Sequence, residues 1–195
     1  MPVTTLSRQR AAAMLTRLGF RVDTPARYVQ SIRDFQRCKG LVSDGILGPK
    51  TSRSLAYSWS RNKLGRPDLS SHFSFREFMC KCGGRFPNCR RIWASRRLIW
   101  GLEAMRKAHF PRGLSIVGGC RCPGHNAAVG GARASQHMHG TAVDLVPTLT
   151  VAQVRALHRF NGIGWQGSGP LAGKVRHVDV GHTAGTNSDP ITWTY

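Results

Sequence analysis

The pattern of apolar residues changes character once along this chain, and that change limits the folds open to it. From Leu6 to about Ser58 the apolar positions recur as on helices, with Ala12, Leu15, Leu18 and Phe20 in one group and Val29, Ile32 and Phe35 in the next. Turn signals separate the groups: Ser43-Asp44-Gly45 and Leu47-Gly48-Pro49 pin a tight loop, and Thr51 is placed to N-cap a short last helix reaching Tyr57. A compact three-helix module over residues 1–59 is expected. The stretch Ser60–Ser71 is polar and contains Gly65 and Pro67, the composition of a linker between folded units. Beyond it, helical spacing persists in Arg96–Ala108, built on Leu98, Ile99, Leu102 and Met105, and in Thr150–Phe160. Glycine and short β-like runs dominate the rest, with strands expected at Leu114–Val117, Ala142–Val146 and Val175–Val180. The unit at 72–195 therefore reads as α+β, with helices beside a small antiparallel sheet. A chain of 195 residues with 41% apolar content can bury the cores that this division requires.

The segment Ser135-Gln136-His137-Met138-His139-Gly140-Thr141-Ala142-Val143-Asp144 sets a histidine in a turn and a carboxylate in the strand that follows. Such a turn can fold the two side chains back onto one point. Further on, Arg176-His177-Val178-Asp179-Val180 places another histidine in a β-like alternation, with Asp179 on the same strand face. Two histidines and one carboxylate form a suitable ligand set for a catalytic zinc ion, with a fourth position open to water.

The run from Ser115 to His137, containing Gly118-Gly119-Cys120-Arg121 and His125-Asn126, then Gly130-Gly131 and Ser135-Gln136-His137, with Gly140 and Asp144 after it, resembles the M15 zinc peptidases. These are the D-Ala-D-Ala carboxypeptidases and related phage endolysins, of the Hedgehog/D-Ala-D-Ala peptidase-like fold. The resemblance extends over roughly Phe73 to Trp193 and includes Phe75-Arg76-Glu77-Phe78 and the final His177-Val178-Asp179. It implies Zn2+ bound by His137, Asp144 and His177, and Arg121 as the arginine that holds the substrate carbonyl or carboxylate. A guanidinium suits that role, because it donates a charge-assisted hydrogen bond to an oxygen that becomes negative. One position departs from the pattern. Several members carry an acidic general base three residues before the last zinc histidine, and here that residue is Lys174. Asp179 is the expected replacement, with an orienting role toward a ligand histidine as its other reading; His182 ranks behind it, and His139 lies beside the motif.

The first 58 residues carry a second resemblance. Phe35-Gln36, Gly40-Leu41, Asp44-Gly45, Leu47-Gly48 and Thr51 are similar to the signature of peptidoglycan-binding domains. Arg33, Arg37 and Lys39 beside it offer ionic contacts to a wall polymer.

The chain has 29 Lys+Arg against 9 Asp+Glu, a formal charge of +20, where solubility alone is reached with a net charge of about 2–8. A polyanionic partner is expected. The motifs select bacterial peptidoglycan within an anionic envelope, and no nucleic-acid-binding motif is present. No stretch reaches the roughly 20 apolar residues that span a bilayer, and the N-terminus lacks the apolar core of a secretory signal. The expectation is a monomeric endolysin-like peptidase that waits in the host cytoplasm and acts on the wall once released. A catalytically degenerate wall-binding or phage structural protein is the alternative that Lys174 permits. The cysteines fall as Cys38, then Cys80, Cys82 and Cys89, then Cys120 and Cys122. Two C-x-C pairs can form a metal site, but zinc ribbons use wider spacing. Reduced buried thiols, or disulfides formed after release, are expected.

Overall fold

A computed structural model describes residues 5–146 and 148–195; the first four residues of the expected 1–59 module, and residue 147, lie outside the described residues. The helical half forms α1 (Arg8–Leu18), α2 (Pro25–Lys39) and α3 (Pro49–Lys63). Ser7 caps α1 and Thr24 caps α2, each accepting a hydrogen bond from a backbone N–H three residues on, and Pro25 opens α2 where its missing N–H costs nothing. Thr51 is not the cap of the third helix. That helix begins two residues earlier, at Pro49 after Gly48, and Thr51 turns inward toward Gln36.

Gln36 explains why the loop residues before α3 form a series. Its buried amide nitrogen, with two protons to give, lies 2.7 Å from Asp44 Oδ1, 3.0 Å from the Ile46 carbonyl oxygen and 3.1 Å from Thr51 Oγ1, while its oxygen accepts from the Gly45 N–H at 2.9 Å. One side chain thus satisfies the polar groups of a whole turn.

The 60–71 stretch is a packed strap. Ser60–Lys63 continue α3, Leu69 is buried, and Asp68 is also buried, accepting from Asn62 and from the Phe75 backbone N–H. Lys39 reaches the Leu69 carbonyl at 2.7 Å. Its ammonium is therefore engaged within the chain, and partial burial, with the neighbouring Arg96 charge, pushes it down to about 8. Phe20, Phe35 and Phe75 meet with ring centroids 5.1–6.1 Å apart, which joins the helical half to the rest in one hydrophobic core.

The second half comprises a 3-10 turn at Phe75–Phe78, α4 (Arg96–His109), β1 (Ile116–Gly118), α5 (Pro123–Ala128), a 3-10 turn at Gln136–His139, β2 (Ala142–Leu145), α6 (Val151–Arg155), β3 (Gly162–Trp165), β4 (Val175–Asp179) and β5 (Ile191–Thr194). The α+β expectation holds at this level. Among the described residues the sheet has five strands in the order β1-β2-β4-β3-β5, and it is mixed rather than antiparallel, because β5 runs parallel to β3. The stretch Thr150–Phe160 is helical only to Arg155; a turn follows, with His158 at φ 49°, and delivers Phe160 into the core. The central strand β4 pairs with β2 on one side and β3 on the other, which sets Asp144 opposite His177 and Gly162 opposite Asp179.

Asp34, on α2, is buried, and burial pushes its carboxyl up to about 6 against the pull of Arg90 and Gln30. A carboxyl whose folded value lies above its unfolded value favours folding when protonated. That contribution is full below about pH 4 and is lost as pH rises through about 6. Asp34→Asn should therefore raise stability by about 1–3 kcal/mol near pH 8 and by little near pH 4, read as the difference in denaturant unfolding between the two chains. A difference that does not change with pH would contradict this account of Asp34.

Candidate metal centre

His137 lies in the 3-10 turn, which is tied to the neighbouring loop: Trp93 Nε1 donates to the Met138 carbonyl at 2.9 Å, and the Ser95 N–H donates to the Gly140 carbonyl at 2.7 Å. Its Nδ1 sits 2.8 Å from the Gly119 carbonyl oxygen. A carbonyl only accepts, so Nδ1 carries the proton and Nε2 is left with a free lone pair. That Nε2 is 3.1 Å from Asp144 Oδ1 and 3.2 Å from His177 Nδ1, and His177 Nδ1 is 3.2 Å from the same carboxylate oxygen. Three electron-rich atoms on three segments thus converge on one point. Such a cluster needs a shared positive charge. Ligands at about 2.0–2.1 Å around a tetrahedral ion stand about 3.3 Å apart, so the donor set and its spacing both fit a zinc-sized cation.

The surroundings push the same way. Burial alone would raise the Asp144 carboxyl, but the imidazoles of His137 and His177 against it hold it well below the usual carboxylate range. Burial alone would lower His177, but Asp144 and Asp179 on its two sides raise it. Two glycines make room for these carboxylates. A Cβ on Gly118 would come within 2.7 Å of Asp144 Oδ2, and one on Gly162 within 2.1 Å of Asp179 Oδ2. Both positions require glycine because the carboxylates lie against the backbone of the adjacent strand.

The cluster forms the floor of an open cleft of about 500 Å³, whose walls include Arg121, His182 and Trp193. Arg121 donates to Asp144 Oδ2 at 3.1 Å and to Asn126 Oδ1 at 3.3 Å. Asn126 in turn donates to the Gly131 and Ala132 carbonyls, which ties the His125-Asn126 pair to the double glycine.

Asp179 is not on the cleft wall. Its side chain is fully buried, Oδ1 accepts from the backbone N–H groups of Gly181 and His182, and Oδ2 faces His182 Nδ1 at 2.6 Å and His177 Nε2 at 3.4 Å. A proton acceptor for substrate needs access to the reacting atoms, so this geometry gives Asp179 an orienting place instead. His182 is half-exposed at the cleft. Lys174 bridges to Thr150 ahead of β4 and does not line the cleft, while His139 is exposed and its carbonyl accepts from Arg37. Trp193 and Tyr195 were not among the residues expected at the site. Trp193 packs against His177 and His182, with ring centroids 5.2 Å away in each case. The only signal was the alternation Ile191-Thr192-Trp193-Thr194-Tyr195, which marks a strand but no role.

Residues 71–179 match the family model for peptidase M15, more than half of the chain. The chain belongs to the peptidase M15 family. It is also 31% identical over 165 residues to the zinc D-Ala-D-Ala carboxypeptidase of Streptomyces albus G, across 80% of this chain and 60% of that protein. This M15 chain thus spans about 60% of the length of its relative. The matched segment contains Arg121, His137, Asp144, His177 and Asp179, and ends before His182 and Trp193.

Loss of an orienting carboxylate behind a ligand histidine weakens metal binding by about 10–100-fold. Asp179→Asn keeps the shape and removes the charge, so zinc held at His137, Asp144 and His177 should be lost to a competing chelator at correspondingly lower chelator concentration. An unchanged competition curve would remove Asp179 from the support of this centre.

Proposed function

We propose that this chain is a zinc peptidase that hydrolyses an amide bond in the stem peptide or cross-link of bacterial peptidoglycan. The observation that carries the reading is the convergence of His137 Nε2, Asp144 Oδ1 and His177 Nδ1 to within 3.2 Å of one another on the floor of an open cleft that also holds Arg121. Membership of the M15 family and the likeness to a zinc D-Ala-D-Ala carboxypeptidase support the choice of metal and of substrate class.

In this reading His137, Asp144 and His177 are the ligands. Zinc bound there supplies a Lewis acid and brings the pKa of a water molecule toward about 7. Arg121 holds the carbonyl oxygen of the scissile amide and stabilises the charge that develops on it, at the cost of loosening its contact with Asp144. Asp179 keeps His177 turned toward the metal. His182, its Nδ1 held by Asp179 and its ring facing the cleft, takes over the proton-transfer role for which Lys174 is chemically unsuited. Trp193 keeps that histidine in place and excludes water from its back.

The helical half is proposed to hold the enzyme on the wall. The Gln36-centred turn presents Val42 and Ile46 to solvent beside the exposed Arg33, an apolar and basic edge suited to a glycan strand with anionic neighbours. An endolysin-like role, in which the chain meets the wall only after the membrane is opened, suits the net charge of +20. Activity on whole cells should then fall steeply as salt shortens the range of electrostatic attraction, whereas a flat response would count against charge-led targeting.

The reading is tested by mass spectrometry of fragments released from purified peptidoglycan. The wild-type chain should release fragments with new termini at a single type of bond, and His137→Ala or a chelator should abolish them. Sedimentation with the wall but no fragments, even with added zinc, would make the chain a binding protein with a degenerate centre. The position of the new termini separates endopeptidase from carboxypeptidase action.

A further inference from the structure

Behind the turn that carries Arg121, four of the six cysteines meet. The sulfurs of Cys80, Cys82, Cys89 and Cys122 all lie within 4.8 Å of one another, and all four residues are buried. Cys80 Sγ is 3.5 Å from Cys82 Sγ, which is 3.8 Å from Cys122 Sγ. Four thiolates around one zinc ion, at about 2.3 Å each, stand about 3.8 Å apart. A disulfide would instead bring two sulfurs to about 2.05 Å. The spacing is that of a tetrahedral thiolate cage.

Three further features suit an ion there. Backbone N–H groups point at the sulfurs, from Cys122 to Cys80 and from Gly84 to Cys82, both at 3.4 Å, and His125 Nδ1 lies 3.4 Å from Cys80. Donors of this kind stabilise thiolate rather than thiol. Lys81, Arg85, Arg90 and Arg91 flank the ligands in sequence, which makes the neighbourhood of the four sulfurs cationic and favours thiolates there. Finally, residues 79–95 contain no helix or strand, so this loop has little backbone pairing to hold it. Small irregular segments of that kind are commonly stabilised by a metal. The narrow C-x-C spacing, which argued against a metal site in the sequence, is accommodated by the turn at 81–84 and by the fourth ligand arriving from the distant Cys122.

We propose that Cys80, Cys82, Cys89 and Cys122 hold a structural zinc ion that staples the 79–95 loop to the turn carrying Arg121. Cys122 directly follows Arg121, whose own N–H donates to the His137 carbonyl, so the ion fixes the cleft arginine from behind. Cys38 and Cys120 are buried thiols outside the cage.

The test uses the full chain carrying His137→Ala, which leaves the cage intact, purified under reducing conditions from zinc-supplemented medium. The proposal expects about one zinc per chain, with an X-ray absorption shell of sulfur at about 2.3 Å, and an intact mass corresponding to six reduced cysteines. A chain without zinc, a shell of nitrogen and oxygen only, or a mass short by two or four hydrogens would overturn it. The wild-type chain, measured alongside, keeps the two sites separable: the absence of an additional nitrogen- and oxygen-bound zinc there would count against the peptidase reading and leave this one standing.

Discussion

One carboxylate organises this molecule. Asp144 presents Oδ1 to two histidines and Oδ2 to an arginine, and each of these partners comes from a different segment. An anion withdrawn even partly from water is costly unless it is paired and hydrogen-bonded, so the fold must deliver all three partners together. It does so through strand register. Pairing of β2 with β4 puts Asp144 beside His177, and the 3-10 turn just before β2 brings His137 back over the same point. A slip of one residue would send Asp144 to the other face of the sheet.

Support for the centre is layered outward from there. Gly118 and Gly162 leave space for the two carboxylates, Asp179 stands behind His177, and Trp193 on β5, which runs parallel to β3, packs against the same histidine at the cleft wall. The parallel pairing of β5 with β3 follows from this arrangement, since the long connection after β4 must cross the sheet end before Trp193 can reach the histidines. On the far side of Arg121, the cysteine cage and the Asn126 hydrogen bonds hold the backbone of the turn.

Much of this was legible in the sequence because its cause is local. The helical repeats around Leu15, Ile32 and Leu102 mark α1, α2 and α4, and the motif around His137 and Asp144 encodes a turn followed by a strand. What was not legible depends on distant partners. The cysteine cage requires Cys122 to travel to the 80–89 loop, whereas the narrow spacing within each C-x-C pair argues against a metal site. The burial of Asp179 depends on Gly162 and on the backbone N–H groups of Gly181 and His182, so an alternation that places it beside His177 cannot tell an orienting carboxylate from a base. The composition of the 60–71 strap suggests a linker, while Leu69 and Asp68 are packed by residues on α2 and α3 and at Phe75.

The most direct test of the central claim is anomalous diffraction at the zinc edge from crystals of the full chain grown without chelator. The account predicts a peak within about 2.0–2.2 Å of His137 Nε2, Asp144 Oδ1 and His177 Nδ1 together. Density for these three side chains in contact, with no anomalous peak between them although zinc is present in the crystal, would contradict it.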